Sequence, residues 1–406
     1  MGNRRAGHAS VRSALIVGAI GSVAVLAWLV AGDVLPGGRW FAVHLFTLGV
    51  LSPLVLALSQ HFGATLTRGE EGATTLLTAT FAGGALLVLV GAAGGHRPVL
   101  VAGASVTSAA VFVGYLRLRG LRRGAVGARF GWIVRTYERA HGAFLHGALL
   151  GGLLGAGALR GDWYLAARTA HLHANIVGWG SLTLLATVVF LGPTVLRRQI
   201  EPGADERAAR HLRVGAAGLS VAVLALVGTG LGGTTAVVMR LLAAGGLSLL
   251  AGAATTTCLP VVRTAVGGSP APSRWPIAAA CTWLPLVLWA DVVVVATGSW
   301  RWLDALGVAA LAGVLLQAII ATVLHLGPVA FARDRHERDR LRGAAAWGSG
   351  PRTLVLDLGV ALVVAAATLR PLLDGPVVVT ATGRVGWVLV IVAVCSLPVG
   401  LLTVRE

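Results

Sequence analysis

The stretch HLHANIVGWGSLTLLATVVFLGPTVL, from His171 to Leu196, begins with two histidines and an asparagine and continues as an almost unbroken apolar run. A helix of about 20 apolar residues crosses the hydrocarbon core of a bilayer, so this run is long enough to be a membrane span. Ionisable residues are costly in lipid and often mark functional positions. The polar start of the run, His171, His173 and Asn175, therefore requires an explanation.

The composition of the whole chain indicates an integral membrane protein. Hydrophobic residues make up 56% of the 406 residues and charged residues 12%, with a mean hydropathy of +0.81, whereas soluble domains carry about 25% charged residues. The net charge of +17 comes from arginines in short loops between apolar runs. No basic patch with stacking aromatic residues is present, so the expected partner is the lipid bilayer and not nucleic acid.

Apolar stretches of membrane-spanning length recur along the chain. They predict an all-α, polytopic transmembrane helical bundle of about twelve spans, with residues 1–406 as a single integral membrane domain. The predicted spans are 12–32, 40–62, 73–94, 98–117, 139–159, 169–196, 213–232, 237–262, 275–297, 302–326, 353–373 and 384–403.

The arginines predict the orientation of this bundle. Of the 33 arginines, 25 lie in the two termini and in the loops that follow even-numbered spans. Cytoplasmic loops carry the excess of basic residues. We therefore expect a multi-pass protein of the plasma membrane with both termini in the cytoplasm.

Seven of the eleven histidines fall inside predicted spans, and they form two groups by depth. His44, His171 and His173 lie near the outer ends of the second and sixth spans. The inner group consists of His61, His141, His146 and His325. Neutral imidazole is buried without a charge penalty, and one of its nitrogens can bind iron or copper while the other is held by a hydrogen bond. The alternative is that each histidine is only a hydrogen-bonded interfacial residue.

Helix geometry restricts which of these residues can act together. Residues two apart on an α-helix point about 200° apart, so His171 and His173 cannot both face one metal if both are α-helical. Asn175 shares a face with His171 and could orient its imidazole or hydrogen-bond a cofactor. Gly178 leaves room for a flat macrocycle or for a neighbouring helix.

Two acids and an amide complete the polar inventory of the spans. Asp291 is a candidate for a proton or ion path, or caps a kink in a tilted helix. Asp357 is expected to reach water at the inner face, and Gln317 to join a hydrogen bond between helices.

The segments HLHANIVGWGSLTLLATVVFLGPTVLRR and HLFTLGVLSPLVLALSQHF, which begin at His171 and His44, resemble helices of the haem-copper oxidase subunit I-like and NnrS-like membrane proteins. They are also similar to the membrane part of actinobacterial proteins that are fused to, or encoded beside, copper nitrite reductase-like cupredoxin domains. The resemblance implies haem or metal ligation by His44, His171 and His173. It also implies a cupredoxin or copper nitrite reductase-like partner, since no such domain lies in this chain.

The standard oxidase copper site is missing from this pattern, because the chain has neither an adjacent His-His pair nor a His-x-x-x-Tyr. The sequence thus predicts a haem-binding membrane protein, with copper as a second candidate cofactor, in electron transfer or nitrogen-oxide metabolism. If the chain is an enzyme, it is an oxidoreductase. The alternatives are a transporter that uses Asp291, or a non-catalytic assembly or sensing subunit.

Overall fold

The computed structural model describes residues 2–31, 38–125, 129–199, 201–267, 271–370, 372 and 376–402, and every regular element in these ranges is helical. In chain order, the helices are α1 (Gly2–Ala31), α2 (Gly38–Thr67), α3 (Thr74–Ala93), α4 (Arg97–Gly124), α5 (Gly131–Ala156), α6 (Gly161–Val195), α7 (Ala204–Leu231), α8 (Gly233–Gly267), α9 (Arg274–Thr297), α10 (Trp300–Phe331), α11 (Arg335–Ala346), α12 (Ser349–Leu369) and α13 (Pro376–Leu402). The predicted span ends at residues 32, 373 and 403 lie outside the described residues.

Among the described residues, eleven helices are long and apolar enough to cross a membrane. The prediction of an all-α, polytopic helical bundle is confirmed. The predicted fifth span, 139–159, lies in α5, which is not one of the eleven. At 26 residues α5 has the length, but Arg135, Glu138, Arg139 and its two histidines lower its hydropathy. The short α11 is strongly polar.

The chain divides into two compact units. Unit 1 comprises Met1–Ala186 and Leu219–Leu242, and unit 2 comprises Thr187–Gly218 and Ala243–Glu406. Glycines bring neighbouring helices of each unit into backbone contact, as small residues do in membrane bundles. A Cβ on Gly103 would overlap the backbone of α3 in unit 1, and a Cβ on Gly359 would overlap the backbone of α13 in unit 2.

Three helices contain a π-helical segment, in which backbone hydrogen bonds join residues five apart. The segments are Leu45–Leu51 in α2, His173–Ser181 in α6 and Ala309–Leu316 in α10. The N–H of Leu182, for example, bonds to the carbonyl of Val177 at the end of the second segment. π-Helical turns occur frequently at functional sites, and these segments lie beside the polar residues described below.

Candidate histidine site

His44 of α2 and His171 of α6 lie next to each other in unit 1. Their ring centroids are 6.2 Å apart, and the ring planes differ by 16°. His44 immediately precedes one π-helical segment, and His171 lies two residues before another. The sequence placed both near the outer end of a span. The structure places His171 about three turns into α6, because this helix begins at Gly161 and not at residue 169.

The hydrogen bonds of the two rings define which nitrogen carries the proton. His44 Nδ1 lies 2.8 Å from the Trp40 carbonyl oxygen, and His171 Nδ1 lies 2.7 Å from the Gly147 carbonyl oxygen. A carbonyl can only accept, so each Nδ1 carries the hydrogen when the ring is neutral. The lone pair of each imidazole is then on Nε2. Neither Nε2 has a hydrogen-bond partner among the described residues.

Helix α5 fixes the position of His171. Its Gly147 provides the carbonyl for Nδ1, and a Cβ on Gly147 would overlap the Asn175 side chain. One turn further along, a Cβ on Gly151 would overlap the His171 ring itself. The two glycines therefore allow α6 to lie close to α5 at the level of the ring, so that the ring reaches a backbone carbonyl of the neighbouring helix.

Asn175 lies on the same face as His171, as the spacing predicts. Its Nδ2 donates to the His171 carbonyl at 2.9 Å and lies 3.2 Å from His171 Nδ1. Because Nδ1 already donates to Gly147, it cannot also accept from Asn175. The Asn175 amide therefore supplies a hydrogen-bond donor to the His171 carbonyl, and it packs against the His171 ring.

Aromatic residues pack against His44 and connect α2 with α6. The Trp40 ring stacks on His44 with centroids 3.9 Å apart. The buried Trp179 of α6 donates from Nε1 to Ser52 Oγ of α2 at 3.0 Å and packs on Phe144 of α5. This bond joins α2 and α6 within unit 1. Gly178, for which the sequence left a macrocycle or a helix as neighbour, lies against Ala143 of α5.

His173, the third member of the predicted outer group, is buried, and its Nδ1 lies 2.8 Å from the Thr169 carbonyl oxygen. Within the part of the chain that the structure describes, no three or more His, Cys, Asp or Glu side chains form a group able to hold a metal ion. The structure thus brings together two of the three outer histidines.

The four inner histidines have separate surroundings. His61 Nδ1 lies 3.0 Å from Glu71 Oε2. His141 is fully buried against Trp179, with Nδ1 bonded to the Tyr137 carbonyl and Nε2 without a hydrogen-bond partner in the described part of the chain. His146 is exposed, and within the described ranges its one hydrogen bond is to the Gly142 carbonyl of its own helix. His325 belongs to α10 in unit 2.

The polar residues of unit 2 differ in part from the prediction. Asp291 is buried on α9. The expected hydrogen bond of Gln317 between helices is confirmed, and its acceptor is Asp357. Asp357, which the sequence expected to reach water, is partly exposed, and its Oδ1 accepts hydrogen bonds from Trp283 and Gln317.

No protein-family model matches this chain, and no curated protein sequence matches it.

Proposed function

We propose that this chain is a haem-binding membrane protein in which His44 and His171 ligate one haem iron from opposite sides. The observation that carries this proposal is the pair of imidazoles from two spans, each with a lone pair on Nε2. A metal-bound imidazole characteristically donates its other nitrogen to a carbonyl or carboxylate, which fixes the tautomer and strengthens the ligand.

The separation of the rings fits this chemistry. An imidazole nitrogen binds a metal at about 2 Å, and the ring centre lies roughly 1 Å behind the nitrogen, so two ligands of one ion have centres about 6 Å apart. The 6.2 Å between His44 and His171 agrees with this distance. Copper has less support, because a third ligand is not grouped with these two among the described residues.

Of the two activities that the sequence predicts, electron transfer agrees better with this arrangement. If both imidazoles hold the haem iron, no position would stay open for a small ligand, so the haem would supply electron exchange in preference to binding a nitrogen oxide. In this role the protein residues set the axial ligation, its hydrogen bonds and its burial, which together tune the reduction potential. We propose that the electrons are used in nitrogen-oxide metabolism.

The arginine distribution supports the finer topology, with both termini in the cytoplasm and the membrane being the plasma membrane. In this orientation His44, which lies six residues after the start of α2, faces the outer side. A cupredoxin or copper nitrite reductase-like electron partner would then meet the protein there.

Absorption spectroscopy of the purified full-length protein tests the proposal. We expect a Soret band, and sharp visible bands on reduction that are typical of a low-spin haem with two nitrogen ligands. His44→Ala and His171→Ala should each abolish the low-spin spectrum. His146→Ala is the matched control, because His146 is an exposed histidine bonded only within its own helix. A protein without haem after expression in a haem-replete host, or an unchanged spectrum in both variants, would refute the proposal.

A further inference from the structure

Unit 2 contains a carboxylate near the middle of a membrane-length helix. Asp357 lies on α12, about 12 Å from the first residue of this helix and about 18 Å from the last, at 1.5 Å per residue. Its Oδ1 accepts from Trp283 Nε1 of α9 at 3.0 Å and from Gln317 Nε2 of α10 at 2.8 Å. Three helices of one unit thus direct polar groups to one point.

Asp357 is partly exposed, and apolar residues lie on the buried side of its helix. Its neighbour Leu356 and the nearby Val360 belong to a buried cluster that also contains Ala312, Ile320 and Leu324 of α10, with Trp283 packed against it. A carboxylate in such a place is costly and is a candidate functional residue by default.

No cation balances this carboxylate within the described part of unit 2. The helices packed around Asp357 carry other charged or titratable groups, but none of them forms an ion pair with it or an electrostatic interaction. These groups are Arg274, Cys281 and Asp291 on α9, Arg301, Asp304 and His325 on α10, Arg352 on α12, and Arg384 and Cys395 on α13.

Gln317 provides the second observation. This side chain is fully buried, and its Oε1 accepts no hydrogen bond from the described residues, although its Nε2 donates to Asp357. A buried carbonyl oxygen without a donor is costly. A protonated carboxyl group has one O–H to donate, so an acidic proton on Asp357 would give this amide the partner that it lacks.

We propose that Asp357 is a proton-binding site inside unit 2 and that the Gln317 amide serves both of its protonation states. When Asp357 is ionised, Gln317 Nε2 and Trp283 Nε1 donate to Oδ1. When Asp357 binds a proton, a small rotation lets the carboxyl O–H donate to Gln317 Oε1. A metal cation fits less well, because the two groups that face the carboxylate are N–H donors. The site is independent of the histidine pair, whose residues all belong to unit 1.

Infrared difference spectroscopy between acidic and alkaline pH tests this site, with the full-length protein in lipid nanodiscs. We expect a band from the C=O stretch of a protonated carboxyl group in apolar surroundings, and its loss in Asp357→Asn. Asp291→Asn is the control, since it removes a different acid of the same unit, one that is buried, and should leave the band in place. Gln317→Leu should shift the band and move its pH midpoint by about one unit, a tenfold change in proton affinity.

Two further measurements keep the test decisive. Labelling of the wild-type protein with carboxyl-¹³C aspartate should shift the band, which assigns it to an aspartate even if Asp357→Asn does not fold. Replacement of sodium by choline should leave the titration unchanged. No titrating band in the wild type, a band that survives in a folded Asp357→Asn variant, or a sodium-dependent midpoint would each overturn the proposal. All these variants should retain the haem spectrum, so the two proposals fail separately.

Discussion

The two units both place a π-helical segment beside their polar groups, but they arrange these groups in opposite ways. In unit 1, His44 and His171 give their N–H groups to backbone carbonyls, and each keeps a lone pair on Nε2. In unit 2, the side chains of Trp283, Gln317 and Asp357 bind one another.

This difference indicates two kinds of chemistry. Backbone carbonyls hold the two imidazoles in place. The unused lone pairs on the Nε2 atoms of these imidazoles suit an electron-pair acceptor such as a metal ion. The carboxylate of unit 2 has two donors, and the unused group beside it is an acceptor, Gln317 Oε1. That arrangement lacks one hydrogen and therefore suits a proton. Glycines lie directly against the His171 ring and the Trp283 indole. Substitution of these glycines would therefore move the side chains on which the two sites depend.

The largest effect is expected from Gly151→Ala in unit 1. The added Cβ would overlap the His171 ring, which must then move away from the Gly147 carbonyl. Loss of this hydrogen bond together with a strained side-chain conformation costs roughly 1–3 kcal/mol. We expect haem to bind roughly 5- to 150-fold more weakly, since each 1.4 kcal/mol corresponds to a tenfold change in affinity, as measured by haem titration of the apoprotein.

Gly152→Ala is the control for this change, because a Cβ at Gly152 would meet no atom of the described residues within 4 Å. Both substitutions raise helix propensity equally, so any difference between them reflects the His171 ring. Equal haem affinity in the two variants would show that the position of His171 does not matter for binding.

A second substitution tests the Asp357 site of unit 2. A Cβ on Gly313, in the π-helical segment of α10, would overlap the Trp283 indole that donates to Asp357. Overpacking of this kind costs about 1–3 kcal/mol. We expect Gly313→Ala to lower the thermal unfolding midpoint and to shift the infrared band of Asp357.

Gly307→Ala, in the same helix, is the matched control, since its Cβ would meet no described atom within 4 Å. It should leave the infrared band at its wild-type position, and it should not lower the unfolding midpoint, because alanine favours the helix over glycine. If Gly313→Ala shifts the haem spectrum and not the Asp357 band, the assignment of separate roles to the two units is wrong.

Hydropathy and span length were sufficient to predict the helical bundle and the proximity of His44 and His171. They included α5 as a span, although Arg135, Glu138 and the histidines keep its hydropathy below that of the eleven candidate spans. They also placed the start of α6 eight residues too late, because Trp163, Tyr164 and the short polar residues around them look like a loop in a hydropathy profile.

The details of both sites could not be read from the sequence. A π-helical turn adds one residue to a helical turn without a distinctive sequence signature, so the π-helical segments that follow His44 and His171 were not foreseen. The donors of Asp357 come from residues 40 and 74 positions away. Such contacts depend on which helices are neighbours, and the order of spans along the chain does not determine this.

The smallest effect is expected from Asn175→Ala, which tests whether a residue beside the two histidines also takes part in haem binding. Asn175 donates to the His171 carbonyl and only contacts the ring, so its loss should leave haem bound with two axial histidines. One net hydrogen bond contributes about 0.5–1.5 kcal/mol, and we expect a comparable decrease in stability, seen as a lower unfolding midpoint. The low-spin spectrum should persist. Loss of haem in this variant would mean that Asn175 binds the cofactor directly and that side chains, as in unit 2, also complete the site of unit 1.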